Sequence, residues 1–366
     1  MTTPAAVAFS LSRAPVRVLD ATRDCAGIAA VQVPALAARL RSEGAGAACI
    51  LGVAHGAGRR ADWIDTPHAR GWLESCGTGA ARHAAAFETA LQLALRQGFV
   101  AADAAVLART EPGEALPLLS WDEALPPQPR LPAGGGRPLG LYAIADSAQR
   151  LLQLVGAGVA TVQLRIKTPA APDAAWHARL RAQVQEAVSI CTSGGAQLFI
   201  NDHWQVAAAV GAAGLHLGQE DVLAMDPQAR WALAASGLAL GISSHSLWEL
   251  CRARALSPRY IACGPVWPTT TKDMPWLPQG LDNLAWWCRM AGAPVVAIGG
   301  ILQAEQVSQA AAAGADGVCL VRGLGTDPRQ SVPALLAALE AGRRQRATAA
   351  AAPAWPHPSL PHGELT

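Results

Sequence analysis

Between Leu139 and about Ala341 one pattern recurs eight times, and it narrows the possible folds more than anything else in the chain. Each repeat opens with a short apolar or β-branched run, passes through a few polar or glycine residues, and continues into a stretch of helical period. The runs are LGLYAIAD, TVQLRIK, QLFIND, GLHLGQED, LALGISSH, YIACGPVW, PVVAIGG and GVCLVRG. Helical stretches such as AQRLLQLVGAG, SLWELCRARAL and AEQVSQAAAAG lie between them, several closed by glycine. Eight strands alternating with eight helices in about 200 residues predict a (β/α)8 barrel near the small end of its size range. A doubly wound open sheet is the alternative.

The rest of the chain divides around this pattern. From Glu111 to Pro138 the sequence EPGEALPLLSWDEALPPQPRLPAGGGRP combines helix-breaking prolines with three consecutive glycines, Gly134 to Gly136, and reads as a joint. After about Arg343 the Pro- and Ala-rich sequence RRQRATAAAAPAWPHPSLPHGELT has little to bury and reads as a disordered tail. The expected organisation is an N-terminal unit over residues 1–110, a joint over 111–138, the barrel over 139–342 and a tail over 343–366.

Composition excludes several partners. A net charge of +2 over 366 residues argues against nucleic acid as the main partner. No charged N-terminal stretch leads into a long apolar run, and no run of about 18 apolar residues occurs, so neither a signal peptide nor a spanning helix is expected, and the chain reads as cytoplasmic. The eight cysteines are scattered, with no CxxC and no histidine at metal spacing, which favours buried free thiols over a disulfide framework or zinc site. The basic residues carry one informative bias: the only lysines are Lys167 and Lys272.

A barrel of this kind places its chemistry at the C-terminal ends of the strands. Polar residues gather there in the sequence. In QLRIK, a period of two would put Gln163, Arg165 and Lys167 on one face, a set suited to an anionic ligand, with Arg as a fork and Lys as a mobile point charge. A solvated edge strand would show the same alternation, but a closed barrel has no edges. Asp202 and Asp221 end adjacent strands and suit a hard divalent cation that meets its substrate through phosphate oxygens. Each alone could be a helix cap; beside Arg165 and Lys167 they favour a magnesium diphosphate site. GPVWPTTTKD offers the hydroxyls of Thr269, Thr270 and Thr271 and then Lys272, a phosphate clamp in outline. In AIGGI, Gly299 and Gly300 would let the backbone approach an oxyanion, at the loops that commonly build a phosphate site in this fold. The rim thus carries two prospective anion sites.

VQLRIK, FIND, GLHLGQED, GISSHS, GPVWPTTTK, VVAIGGI and GADGVCLV, in this order and spacing, resemble thiamine-phosphate synthase over Leu139 to Leu324. The resemblance implies a TIM barrel that joins hydroxymethylpyrimidine diphosphate to thiazole phosphate and releases pyrophosphate with Mg2+. It further implies that Gln163, Arg165 and Lys167 hold the pyrimidine diphosphate, that Asn201 bonds the pyrimidine amino group, and that Ser243 lines the pyrimidine side. Asp202 and Asp221 would be the metal ligands, and Lys272 would reach the pyrophosphate. Thr269 and Thr271, the Gly300 backbone N–H, and the backbone near Val321 and Arg322 would hold the thiazole phosphate. The family commonly has Ser where Arg322 stands, and Arg is itself a competent phosphate donor. Arg165, Lys167, Lys272 and Ser243 are the expected catalytic set. His216 and His245 could be hydrogen-bond partners or structural residues. The expected partners are the two small-molecule substrates, with no nucleic acid and no membrane; a homo-oligomer is compatible with the sequence.

Two other readings share parts of this pattern. A thiazole tautomerase shares the barrel and phosphate site, and its working histidine falls where His245 lies; Arg165, Lys167, Asn201, Asp202 and Asp221 together favour the synthase. A ligand-binding barrel without catalysis fits poorly with every expected polar position filled.

The N-terminal segments LDATRDCAGIAAVQ and DWIDTPHARGWLESCGTGAARHAAAFETALQLALRQGFVAADAAVLAR resemble the beginning and end of a hydroxymethylpyrimidine phosphate kinase, a ribokinase-like α/β fold. The middle of that family's chain is missing. Gly77, Thr78 and Gly79 resemble its anion-hole loop, but the family expects Cys or Asp where Ala80 stands. The expectation is a degenerate remnant without kinase activity. Docking on the barrel, pyrimidine binding and assembly are the roles open to it.

Overall fold

Parallel strands β6 (Gly140–Ala145), β7 (Thr161–Leu164), β8 (Gln197–Asn201), β9 (Gly214–Leu217), β10 (Ala239–Ser244), β11 (Tyr260–Cys263), β12 (Val295–Ile298) and β13 (Gly317–Leu320) close into a barrel when β13 pairs with β6. The computed structural model describes residues 14–75, 84–111, 114–127, 136–270, 274–346 and 354–361. All eight strands fall on the eight runs read from the sequence, and the open-sheet alternative is excluded by the closing pair Leu320↔Ala143.

Two cores flank the strands. Inside the barrel, Tyr142, Phe199, Tyr260, Val296 and Cys319 pack together, the inward half of the strand alternation. Glycines make room for the rings: a Cβ on Gly241 would sit 2.2 Å from the Tyr260 Cζ, and one on Gly214 would sit 2.6 Å from Phe199. Outside, apolar residues from the strands' other faces meet the helices α4 (Ala148–Gly156), α5 (Ala174–Gly194), α6 (Trp204–Ala209), α7 (Gln219–Ala224), α8 (Pro227–Ala235), α9 (Leu247–Ala255), α10 (Gly280–Met290), α11 (Ala304–Ala312) and α12 (Pro328–Gln345). The expected alternation departs from one-to-one between β9 and β10, where Pro227 starts a second helix, capped by the Asp226 side chain on the Ala229 N–H.

The N-terminal unit holds α1 (Val33–Ser42), α2 (Ala84–Arg96), α3 (Ala101–Arg109) and a five-stranded sheet in the order of the chain: β1 (Val16–Asp20), β2 (Ala47–Ala54), β3 (Arg60–Asp65), β4 (Arg70–Glu74) and β5 (Leu118–Leu119). Only the β1–β2 pair is parallel. Strand β5 lies within the stretch read as a joint; the prolines around it remove local helix donors but leave Leu118 and Leu119, both buried, to pair with Glu74 and Leu73. The unit docks on the barrel: Trp121 Nε1 donates to the Arg252 carbonyl (3.0 Å), Arg252 donates to the Arg70 carbonyl (2.8 Å), and Arg230 pairs with Asp122 (2.7 Å). Gly77, Thr78, Gly79 and Ala80 lie outside the described residues.

The tail also departs from expectation. Helix α12 continues to Gln345, and residues 354–361 return to α10 and the segment before it, where the His357 N–H donates to Asn283 Oδ1 (2.8 Å) and the Leu277 N–H donates to the Ser359 carbonyl (2.9 Å). The Pro-rich composition hid this because extended backbone, which cannot satisfy itself, is a ready partner for the buried Asn283 amide. Cys49, Cys191, Cys251, Cys263 and Cys319 are buried free thiols, as read from the spacing. No helix among the described residues is long and apolar enough to cross a membrane.

Candidate active site

A cavity of about 420 Å3 opens at the C-terminal ends of the barrel strands. On one side it is lined by Gln163, Arg165, Asn201, Asp202, Asp221 and Ser243, and on the other by Thr269, Gly300, Val321 and Arg322. Sequence-spaced residues from seven strand ends therefore meet in one place. His216, Glu220 and His245 face the same space.

Lys167 does not. Strand β7 ends at Leu164, so the period-two reading loses its meaning before Lys167 is reached. The Arg165 N–H still bonds the Ala145 carbonyl (2.7 Å), which carries its half-buried side chain to the cavity, whereas Lys167 is exposed and off the lining. Thr270 borders a second hollow beside the first, with Trp276 and Met274. Thr271 and Lys272 lie outside the described residues.

The acidic pair is held by local backbone geometry. Asp202 has a φ of +65°, a conformation that Asp tolerates better than most side chains, and its N–H donates to the His216 carbonyl (3.1 Å). Asp221 stands in the first turn of α7 and its Oδ2 accepts the Gly218 N–H (2.8 Å), so the helix-cap role and a site role coincide in one residue. Partial withdrawal from water, and after it the negative charge of Asp221, push Asp202 up to about 6; Arg165 and His203 pull the other way. Two interacting carboxylates under mutual repulsion form an acceptor set that a cation would relieve. Among the described residues no group of three or more metal-binding side chains occurs. A pair of carboxylates is the donor set expected for a hard cation that keeps waters and meets substrate phosphates, and these residues fit it.

The floor of the cavity is a buried hydrogen-bond chain. Gln163 Nε2 donates to the Tyr142 hydroxyl (3.2 Å), the Tyr142 and Tyr260 hydroxyls are 2.7 Å apart, Tyr260 meets His216 Nδ1 (2.8 Å), and His216 Nε2 meets Ser243 Oγ (3.1 Å). Burial, followed by Arg165 and His245, lowers His216 to about 4, so the ring is neutral near pH 7 and carries one proton. One polarity leaves no buried hydroxyl proton unused: Tyr142 donates to Tyr260, Tyr260 donates to Nδ1, and Nε2–H donates to Ser243. The Ser243 proton is then available to a ligand acceptor. His216 is thus a partner in the chain. His245 bonds Glu249 through Nδ1 (2.9 Å) and stacks on Trp276, 5.3 Å between rings.

On the opposite wall, Gly299 (φ +93°) and Gly300 (φ +71°) have no room for a side chain: a Cβ would lie 2.6 Å from Pro265 Cα and 2.6 Å from the Trp267 carbonyl oxygen, respectively. Only glycine brings the backbone after β12 this close to the cavity. Arg322 Nη1 donates to Thr270 Oγ1 (3.2 Å), which ties the loop after β13 to the threonine loop. The tyrosines were missed from the sequence, although they are the only two in the chain and their rarity was as visible as that of the lysines.

Residues 141–324 match the family model described as thiamine monophosphate synthase. The chain belongs to this family. Over 166 residues it is 49% identical to the thiamine-phosphate synthase of Neisseria meningitidis serogroup A, covering 45% of this chain and 76% of the relative. It is 43% identical over 188 residues to the thiamine-phosphate synthase of Rhizobium etli, covering 51% of this chain and 87% of that one. A solved thiamine phosphate pyrophosphorylase from Pyrococcus furiosus is 26% identical with a TM-score of 0.48, over 56% of this chain and 96% of the other. The family match lies wholly within the barrel and leaves the N-terminal unit outside it.

Proposed function

We infer that the barrel is a thiamine-phosphate synthase, condensing hydroxymethylpyrimidine diphosphate with thiazole phosphate to give thiamine phosphate and pyrophosphate. The observation that carries this reading is that Gln163, Arg165, Asn201, Asp202, Asp221, Ser243, Thr269 and Gly300, dispersed along the chain, line one cavity with an acidic pair on one wall and a pair of glycines on the other. The reaction breaks the bond between the pyrimidine methylene and the diphosphate oxygen, and the electron pair leaves with pyrophosphate. The thiazole nitrogen lone pair then forms the new C–N bond. No proton need move, so the absence of an acid–base triad from this reading costs nothing.

Within it, Gln163, Asn201 and Ser243 hold the pyrimidine. The proton that the floor chain leaves on Ser243 suits a ring nitrogen acceptor. Arg165 faces the diphosphate, as do Lys167 and Lys272 by resemblance, and places positive charge where negative charge develops. Thr269, Thr270, Thr271, Arg322 and the backbone at Gly300 and Val321 hold the thiazole phosphate. Asp202 and Asp221 would hold Mg2+, which when bound neutralises the leaving diphosphate. Lys167 needs only its flexible stem to swing inward, a freedom its exposure allows. The protein works on small, soluble, phosphorylated substrates and reads as cytoplasmic on that basis. The N-terminal unit is read as a remnant of a pyrimidine phosphate kinase without kinase activity, and phosphorylation of hydroxymethylpyrimidine phosphate by ATP would refute that.

The test is a coupled assay of the full chain with both substrates and Mg2+. Thiamine phosphate should appear in step with pyrophosphate; pure, folded protein that forms neither would sink the reading.

A further inference from the structure

An outer helix of a (β/α)8 barrel ordinarily keeps one face in water. Helix α9 does not: all nine residues, Leu247 to Ala255, are buried. Its outer side is covered by the N-terminal unit, through the Trp121 and Arg252 contacts described above and through Arg254, whose guanidinium donates to the carbonyls of Leu116 and Pro117.

The cover extends to the start of the helix. Asp103, on α3 and 2% exposed, turns its Oδ1 onto the N–H groups of Leu247 (2.8 Å) and Trp248 (3.1 Å). Ser246 takes the next one, the Glu249 N–H (3.3 Å). Three N–H groups that have no acceptor within the helix are therefore closed, two of them by a residue 144 positions earlier in the chain. A carboxyl group at this end also meets the positive pole of the helix.

What precedes α9 is the end of β10, which carries Ser243, and the short turn after it, which carries His245; both residues line the cavity. The barrel also fastens this stretch: Gln219 Nε2 donates to the Ser243 carbonyl (2.8 Å), Gln279 Nε2 to the His245 carbonyl (2.7 Å), and the His245 N–H to Glu249 Oε2 (2.7 Å). The junction of turn and helix is fastened by Asp103. We propose that Asp103 is a positioning residue for the barrel's reaction: by closing the N-terminus of α9 it fixes the turn that presents His245 and follows directly on Ser243 at the end of β10, so that the N-terminal unit serves synthesis without chemistry of its own. The proposal rests on the synthase reading above.

The experiment compares the full chain with Asp103→Ala and Asp103→Asn, by amide hydrogen exchange and by steady-state kinetics with each substrate varied. D103A should speed exchange at residues 245–248 and raise KM for the pyrimidine diphosphate about tenfold, the scale of one lost cap, with KM for the thiazole phosphate within about twofold. D103N keeps an oxygen for the same two N–H groups and should return both readouts to within about twofold of wild type. A role confined to folding predicts a loss of active fraction with both KM values unchanged, and that result would overturn the proposal, as would unaltered exchange at 245–248. Should D103A not fold, Asp103→Glu, which displaces the carboxylate by a methylene, takes its place with the same expected KM split, and its absence counts equally against us. A wild-type chain that makes no thiamine phosphate would instead refute the synthase reading, so the two failures are told apart.

Discussion

Tyr142 and Tyr260, the only tyrosines in the chain, donate and accept a single hydrogen bond 2.7 Å long between their hydroxyls on the floor of the barrel. Their rings fill the interior, that of Tyr260 stacked on His216, and the hydroxyl chain selects which nitrogen of His216 carries the proton. Tyr260 donates to Nδ1, and the ring stays neutral because burial makes its charged form costly.

That yields an acid-stability prediction. His216 is lowered from an ordinary 6.5 to about 4 in the folded protein, so between these values the unfolded chain binds more protons than the folded one. Stability is fully present above pH 6.5 and is lost as pH falls toward 4. Replacing His216 with Gln, which cannot protonate, should flatten the urea-midpoint profile over this window relative to wild type. The kcat/KM profile of wild type should show no ionisation of His216 near its ordinary value. Identical stability profiles for the two proteins would contradict the neutral, buried ring.

Arg322 lines the cavity and donates to Thr270 Oγ1 (3.2 Å). A charge-assisted contact with a phosphate is worth about 1.5–3 kcal/mol, so Arg322→Ser should raise KM for the thiazole phosphate roughly tenfold or more. KM for the pyrimidine diphosphate should move less than about twofold, since Arg322 lies on the opposite wall from Arg165 and the acidic pair. Steady-state kinetics with each substrate varied separately decides this; equal effects on both substrates would place Arg322 elsewhere in the reaction.

Asp202→Asn and Asp221→Asn separate the acidic pair's two duties. The amide oxygen at 221 can still accept the Gly218 N–H, so the helix cap survives in that variant while the charge is lost. Outer partners of metal ligands already cost about 10–100-fold in affinity, and a direct ligand should cost at least as much. Each variant should therefore need far more Mg2+ for half-maximal rate, with melting temperatures near wild type. Chelation with EDTA should silence the wild type and be reversed by added Mg2+. Unchanged Mg2+ dependence in both variants would remove these residues from the metal site.

The barrel was legible because its strands and helices announce themselves locally: β-branched runs such as TVQL and amphipathic stretches such as AEQVSQAAA need no distant partner to be recognised. The rim was legible for a related reason, since polar residues at strand ends have few structural uses in a buried strand. The placement of Lys167 on one strand face with Gln163 failed because it depended on where β7 stops, and strand ends are set by pairing, which a single run does not encode. Asp103, β5 and the returning tail were invisible for the same reason in stronger form. Each is defined by a partner more than 40 residues away: Leu247 and Trp248 for Asp103, Leu73 and Glu74 for β5, Asn283 for His357.

The tail supplies the last test. Asn283 is fully buried and uses its amide as a double clasp, Oδ1 accepting the His357 N–H and Nδ2 donating to the His357 carbonyl (3.1 Å) and to Gln279 Oε1 (2.8 Å). Gln279 in turn holds the His245 carbonyl, and the Ser359 carbonyl holds Leu277, just past the threonine loop. A chain ending after Arg346 would lose the three bonds to His357 and Ser359 and gain only water in exchange. At about 1 kcal/mol net per hydrogen bond, the loss should total roughly 2–3 kcal/mol and lower the melting temperature by several degrees. Because Leu277 and Gln279 frame the loop that bears Thr269, KM for the thiazole phosphate should also rise, with kcat changed less. Asn283→Ala should reproduce the kinetic effect with the tail still present. A shortened chain with wild-type stability and wild-type KM would mean that the tail merely rests on α10.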